Sequence, residues 1–129
     1  MNTGHKGCLG TVHANTANDA IVRLEALAQG AGGQLSEKAL QYQICGALDL
    51  IVQASRLADG SRRITEVSEV LGQDDKGNYV MNSIFEMGRL VKMPDGKLKG
   101  NIQPTGNLPS FMEEIEDNKI PYSRNKFAA

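Results

Sequence analysis

Two histidines, His5 and His13, fall within a short run from Asn2 to Asn15 that also holds Gly4, Gly7, Gly10 and the hydroxyls of Thr3 and Thr11. Imidazole can meet phosphate charge or pass a proton near neutral pH. Glycine lets a backbone approach a ligand more closely than a Cβ allows. Residues of these types, packed this densely, leave little room for core side chains and point to a polar ligand. Three arginines further along, Arg56, Arg62 and Arg63, could add charge, because each guanidinium offers two parallel donors to an oxyanion. Glu66 and Glu69 resemble a carboxylate pair only superficially. Three-residue spacing on a strand separates their faces, so structural roles are expected for both.

The elements that must position these groups follow from pattern. Leu9–Ala14 alternates like a short strand, which would place His13 near its end. Thr16, three residues before Asp19, has the form of a capping-box variant. Ala17, Ala20, Ile21, Leu24, Leu27 and Ala28 then recur at helical spacing, predicting a helix over about 17–29 with Arg23 near the edge of its apolar stripe. Gly30-Ala31-Gly32-Gly33 stops it. Ser36 caps a second helix carrying Leu40, Ile44 and Ala47. Leu48–Val52 is short, apolar and β-branched and reads as a buried strand, in which Asp49 needs a partner such as Arg62 or Arg63. Arg63–Leu71 is expected to be a strand with a bulge. Turns at Asp74–Gly77 and Pro94–Gly96 predict hairpins through Tyr79–Met87, Arg89–Met93 and Lys97–Ile102. A last helix begins near Pro109 and runs to about Asn118. The tail after Ile120-Pro121 is expected to be loosely held.

The run Thr-Gly-His-x-Gly-x-x-x-Thr-x-His-Ala-Asn, followed by Ala20 and Arg23-Leu24-Glu25, resembles the histidine box of the type II/IV secretion ATPases, most of all the CpaF-like branch of Flp (tad) pilus assembly. Asp49–Gln53, Arg56-Leu57-x-Asp59-Gly60-Ser61-Arg62-Arg63-Ile64, Glu69-Val70-x-Gly72, Ile84-Phe85 and Pro104-Thr105-Gly106 extend the likeness over nearly the whole chain in order. Cys8 departs from it, standing where the family usually has serine. The resemblance implies an α/β fold: the second half of a RecA-like P-loop ATPase core over residues 1–72, then antiparallel hairpins and a C-terminal helix over 73–129, packed as one domain. It implies His5 and His13 as catalytic residues at the phosphates, and Thr3, Gly4, Arg23, Arg62 and Arg63 as nucleotide-binding residues. It further implies ATP and Mg2+ as cofactors of the parent protein, a hexameric cytoplasmic ring, and inner-membrane secretion or pilus platform proteins as partners. Walker A and Walker B motifs are absent from this sequence. The nearest decoy, Gly72–Gly77, lacks the lysine and the hydroxyl residue that should follow. The chain therefore reads as a C-terminal piece of a larger ATPase, inactive and cofactor-free alone, with an exposed sheet edge that favours self-association.

Composition sets limits. The 129 residues carry 14 Lys plus Arg against 15 Asp plus Glu, a net charge of −1, so no global field draws the chain to nucleic acid or an anionic membrane. With 40% hydrophobic residues, no Trp and few aromatics, the core is aliphatic and modest. No apolar run approaches the ~20 residues of a membrane span. Cys8 and Cys45 are expected as thiols, given no cysteine-dense pattern. A zinc site from His5, Cys8, His13 and Cys45 is disfavoured, since Cys8 and His13 fall on opposite sides of a strand. Two alternatives to the motor remain: a nonenzymatic interaction module of the same fold, distinguished by the absence of a Walker A region upstream, and a small zinc protein, distinguished by stoichiometric metal.

Overall fold

Both helices in the first half start where a hydroxyl can satisfy an orphan amide. In the computed structural model, which describes residues 7–129, Thr16 Oγ1 accepts from the Asp19 amide at 3.0 Å and opens α1 (Ala17–Gly30). Ser36 Oγ accepts from the Ala39 amide at 3.2 Å and opens α2 (Glu37–Ala47). Ala17, Ala20 and Ile21 of α1 and Leu40 of α2 are buried, and the helices pack on each other, α1 also touching β1 (Leu50–Arg56) and both touching β2 (Arg62–Gln73).

The sheet is antiparallel throughout, in the order β1-β2-β3-β6, with β3 spanning Tyr79–Met87 and β6 Ile102–Pro104. A separate two-stranded hairpin, β4 (Val91–Lys92) with β5 (Leu98–Lys99), is inserted between β3 and β6. The fold is thus mixed α/β with antiparallel sheets. β2 carries the expected bulge and more: its register shifts against β3 between Val67 and Ser68 and again between Val70 and Gly72, where Gly72 has φ of 140°. Around these shifts the alternation fails, and Ser68, Glu69 and Val70 are buried consecutively.

Several expectations are corrected. Leu9–Ala14 forms no strand; its alternation is real, but no neighbouring strand pairs with it, and Leu9 is fully exposed. The run at 48–52 is not a buried strand. Leu48 closes α2 by donating its amide to the Ile44 carbonyl, and β1 begins at Leu50 and continues to Arg56 at the sheet edge. Leu50 and Val52 are 42% and 56% exposed. Asp49 is exposed and needs no arginine; only its carbonyl is engaged, by the Val70 amide at 3.0 Å.

The tail is anchored. α3 (Met112–Asp117) is followed by a 3-10 helix over Arg124–Phe127, and Phe127 joins Ile84 and Met112 in the core with Phe85 and Ile115 packed alongside. Arg124 Nε donates to Glu116 Oε1 at 2.6 Å and fixes the two segments together. Cys8 and Cys45 form no disulfide. Among the described residues no helix is long and apolar enough to cross a membrane.

Candidate functional site

The segment before α1 runs beside the open edge of β1 and encloses a groove of about 760 Å³. One wall is formed by residues 10–15, the other by Leu48 and the length of β1, and Ala20 and Leu24 of α1 contribute to the lining. Gln53 ties the walls together. It stands in the middle of an apolar strand, is buried, and donates from Nε2 to the Ala14 carbonyl at 3.0 Å. Its signal in the sequence is the lone amide within Leu50–Ala54, and pattern reasoning passed over it.

Of the residues expected at a ligand, Thr3, Gly4 and His5 lie outside the described residues. His13 lines the groove, exposed, next to Thr11 and Asn15. Arg56 reaches the same groove from the end of β1. In the β1–β2 register Arg56 lies directly opposite Arg62, and among the described residues neither guanidinium has a carboxylate partner. Like charges directly opposed across a strand pair are unfavourable, and an anion between them would relieve the repulsion. Arg62 is exposed but does not line the groove, and Arg23 is exposed on α1 outside it.

Arg63 is committed elsewhere. Its Nη1 donates to the Gly100 carbonyl at 2.9 Å, Nη2 to the Leu98 carbonyl, and Nε to Ser61 Oγ at 3.2 Å. Asp59 completes this latch: its Oδ2 accepts from the Leu98 amide at 2.8 Å, and Arg63 Nη2 approaches to 3.7 Å. The Ser61 hydroxyl, then the Leu98 and Ser61 amides and the Arg63 charge, hold the Asp59 carboxyl well below the usual carboxylate range, at about 2. The latch fixes the β4–β5 hairpin to the turn that carries Arg56 and Arg62.

Two further polar clusters came from no local signal. Glu25 accepts from the Tyr79 hydroxyl at 2.7 Å and from Gln41 Nε2 at 3.1 Å, and Gln73 Nε2 donates to Gln41 Oε1 at 2.8 Å. Burial, then the bond to Glu25, pushes the Tyr79 phenol up. Glu69, 3% exposed, accepts from the Ser110 amide at 2.9 Å, from the Ser110 hydroxyl and from Asn82 Nδ2 at 3.2 Å. Glu66 accepts from the neighbouring Ser68 hydroxyl. Glu25 and Glu69 join elements, Glu66 bonds within β2, and the three do not converge on one ligand. Among the described residues no three His, Cys, Asp or Glu side chains come together as a metal site would need.

A family model described as "Type II/IV secretion system protein" matches residues 1–90, from the run before α1 through β3. A putative conjugal transfer protein of Mycobacterium tuberculosis is 41% identical over 68 residues, 53% of this chain and 19% of that protein. Conjugal transfer protein TrbB of Rhizobium radiobacter is 45% identical over 71 residues, covering 55% and 20%. Type IV secretion system protein VirB11 of Bartonella quintana is 33% identical over 69 residues, covering 52% and 19%. The chain spans about a fifth of the length of these relatives.

Proposed function

Because the chain belongs to the type II/IV secretion system protein family, we propose that its groove is the histidine-box side of a nucleotide site in an ATP-hydrolysing motor that powers secretion or pilus assembly. The finer reading places the motor in the CpaF-like branch. These residues would form the second half of a RecA-like core in a hexameric cytoplasmic ring that meets inner-membrane platform proteins.

The observation that supports this best is the open groove itself. It presents an imidazole, a hydroxyl, an amide and a guanidinium, from His13, Thr11, Asn15 and Arg56, around one space. Such groups suit the spread negative charge of a transferring phosphoryl group, where positioning and fixed donors supply most of the catalysis. His13 would donate a hydrogen bond to a phosphate oxygen. Arg56, with Arg62 behind it, would balance the charge. The phosphate cradle and the magnesium acid are assigned to no residue of this chain.

Titrating the 15N-labelled chain with Mg·ATP and following the His13 ring, the Asn15 amide and the Arg56 Nε resonance tests the reading. Without a phosphate cradle the chain is expected to hold no nucleotide tightly, so the expected result is weak shifts confined to these groups at millimolar Mg·ATP and lost in Arg56→Ala. Shifts that fall elsewhere, or none up to millimolar ATP, would overturn it.

A further inference from the structure

The β4–β5 hairpin lies beyond the 1–90 family match apart from its Arg89-Leu90 entry, and its two faces differ sharply. Val91 pairs with Lys99 and Lys92 with Leu98, so alternation puts Arg89, Val91, Met93, Lys97 and Lys99 on one side. All five are exposed, Val91 and Met93 by 52% and 38%, whereas on the other side Leu90 and Leu98 are half-buried and Lys92 is exposed. The outward side thus combines two apolar side chains with three cations. Among the described residues none of these cations, nor Lys92, forms an ion pair. The one carboxylate in the hairpin, Asp95, accepts from the Lys97 amide at the turn. Bonds from Arg63 and Asp59 to Leu98 and Gly100 fix where the hairpin points.

The complementary surface is on the same chain. A pocket of about 390 Å³ opens between α1, α2 and the β2–β3 turn, with Val22 and Ala26 on its apolar side and Glu25, Glu37 and Gln29 around it. Among the described residues no cationic side chain lines it; Lys38 and Lys76 lie on neighbouring segments outside the lining. Glu25 is held toward this space by Tyr79 and Gln41, and Glu37 stands at the start of α2. Among the described residues no ion pair joins pocket and hairpin within one chain.

We propose that the cationic hairpin face of one copy docks into the acidic α1–α2 pocket of a second copy. Charge complementarity selects this occupant: cations without carboxylates face carboxylates without cations, exposed Val91 and Met93 meet Val22 and Ala26, and a net charge of −1 leaves copies free to approach. Each copy has one of each surface, so the contact is heterologous and repeats head to tail. The proposal specifies the self-association expected of a ring motor and is independent of the nucleotide reading.

Sedimentation velocity on the 129-residue chain and two charge-reversed variants tests it: Lys97→Glu with Lys99→Glu, and Glu37→Lys with Gln29→Lys. All four positions are exposed, and circular dichroism checks that folding is kept. The parent chain is expected to associate at low salt and to dissociate as salt rises. Each variant alone should associate at least about tenfold more weakly, and mixing the two should restore association, since the reversed hairpin of one then fits the reversed pocket of the other. Unchanged association in either variant, or no recovery on mixing, rejects this contact while leaving self-association standing. A parent chain that stays monomeric rejects both. Binding of a monomeric parent to phosphatidylserine vesicles, lost in the lysine variant, would assign the hairpin to a membrane surface and overturn the proposal.

Discussion

Asp59 shows how a single carboxylate can decide where a larger piece of the molecule sits. Its folded-state pKa lies below the value of an unfolded chain, so the latch contributes fully above about pH 4 and loses its contribution as pH falls through about 2. An acid titration read on the Leu98 amide should show a step near pH 2, and Asp59→Asn should remove it; a midpoint in the ordinary carboxylate range would refute this reading. The Asp59-Gly60 pair is itself a local turn signal. Such a signal could not distinguish Arg56 from Arg63 as the available cation. That depends on the Gly100 carbonyl, 37 residues further along, coming to meet Arg63. His13 stands out in the sequence by type and spacing, and the fold adds that it lines the groove.

At the scale of elements, legibility follows the range of the forces. Thr16 and Ser36 cap helices within three residues, and the Asp74–Gly77 and Pro94–Gly96 turns close hairpins within four, so those elements could be read from the chain. The strand expected at Leu9–Ala14 failed because a strand needs a partner, and alternation alone supplies none. The tail failed for the opposite reason: its sequence is polar and broken by Pro121, yet Phe127 is buried against Met112 and Ile84 and stacks edge-on with Tyr122 at 5.4 Å between ring centres. Phe127→Ala should therefore cost roughly 3 to 5 kcal/mol in urea unfolding, because the cavity lies in a core with few large side chains. A loss below about 1 kcal/mol would return the segment to a loosely held tail.

Taken whole, the molecule has a small core and much exposed apolar surface: Leu50 and Val52 at the sheet edge, Val22 and Leu27 on α1, Ile120 and Tyr122 after α3. The groove beside residues 10–15 is part of the same openness. The chemistry that accelerates phosphoryl transfer is mostly positioning, and this sequence holds neither a phosphate-cradling loop nor its lysine. Malachite-green phosphate release by the 129-residue chain with Mg·ATP should stay at the buffer rate. Turnover within the usual enzyme range would mean that the catalytic groups are here and have been missed.

The hairpin leaves the sheet through a constriction. Gly88 donates its amide to the Asn101 carbonyl at 3.1 Å, and a Cβ placed on it would come within 3.0 Å of Gln103. A Cβ on Gly100 would lie 2.8 Å from a Leu90 methyl and 2.9 Å from the Arg89 carbonyl. At Gly88 the Gln103 side chain could give way, but at Gly100 the crowding atoms include backbone, so the close approach at the neck depends on the missing methyl group there. An alanine at position 100 would press on the Arg89 carbonyl, so the neck itself would have to yield although every residue of the outward face keeps its identity.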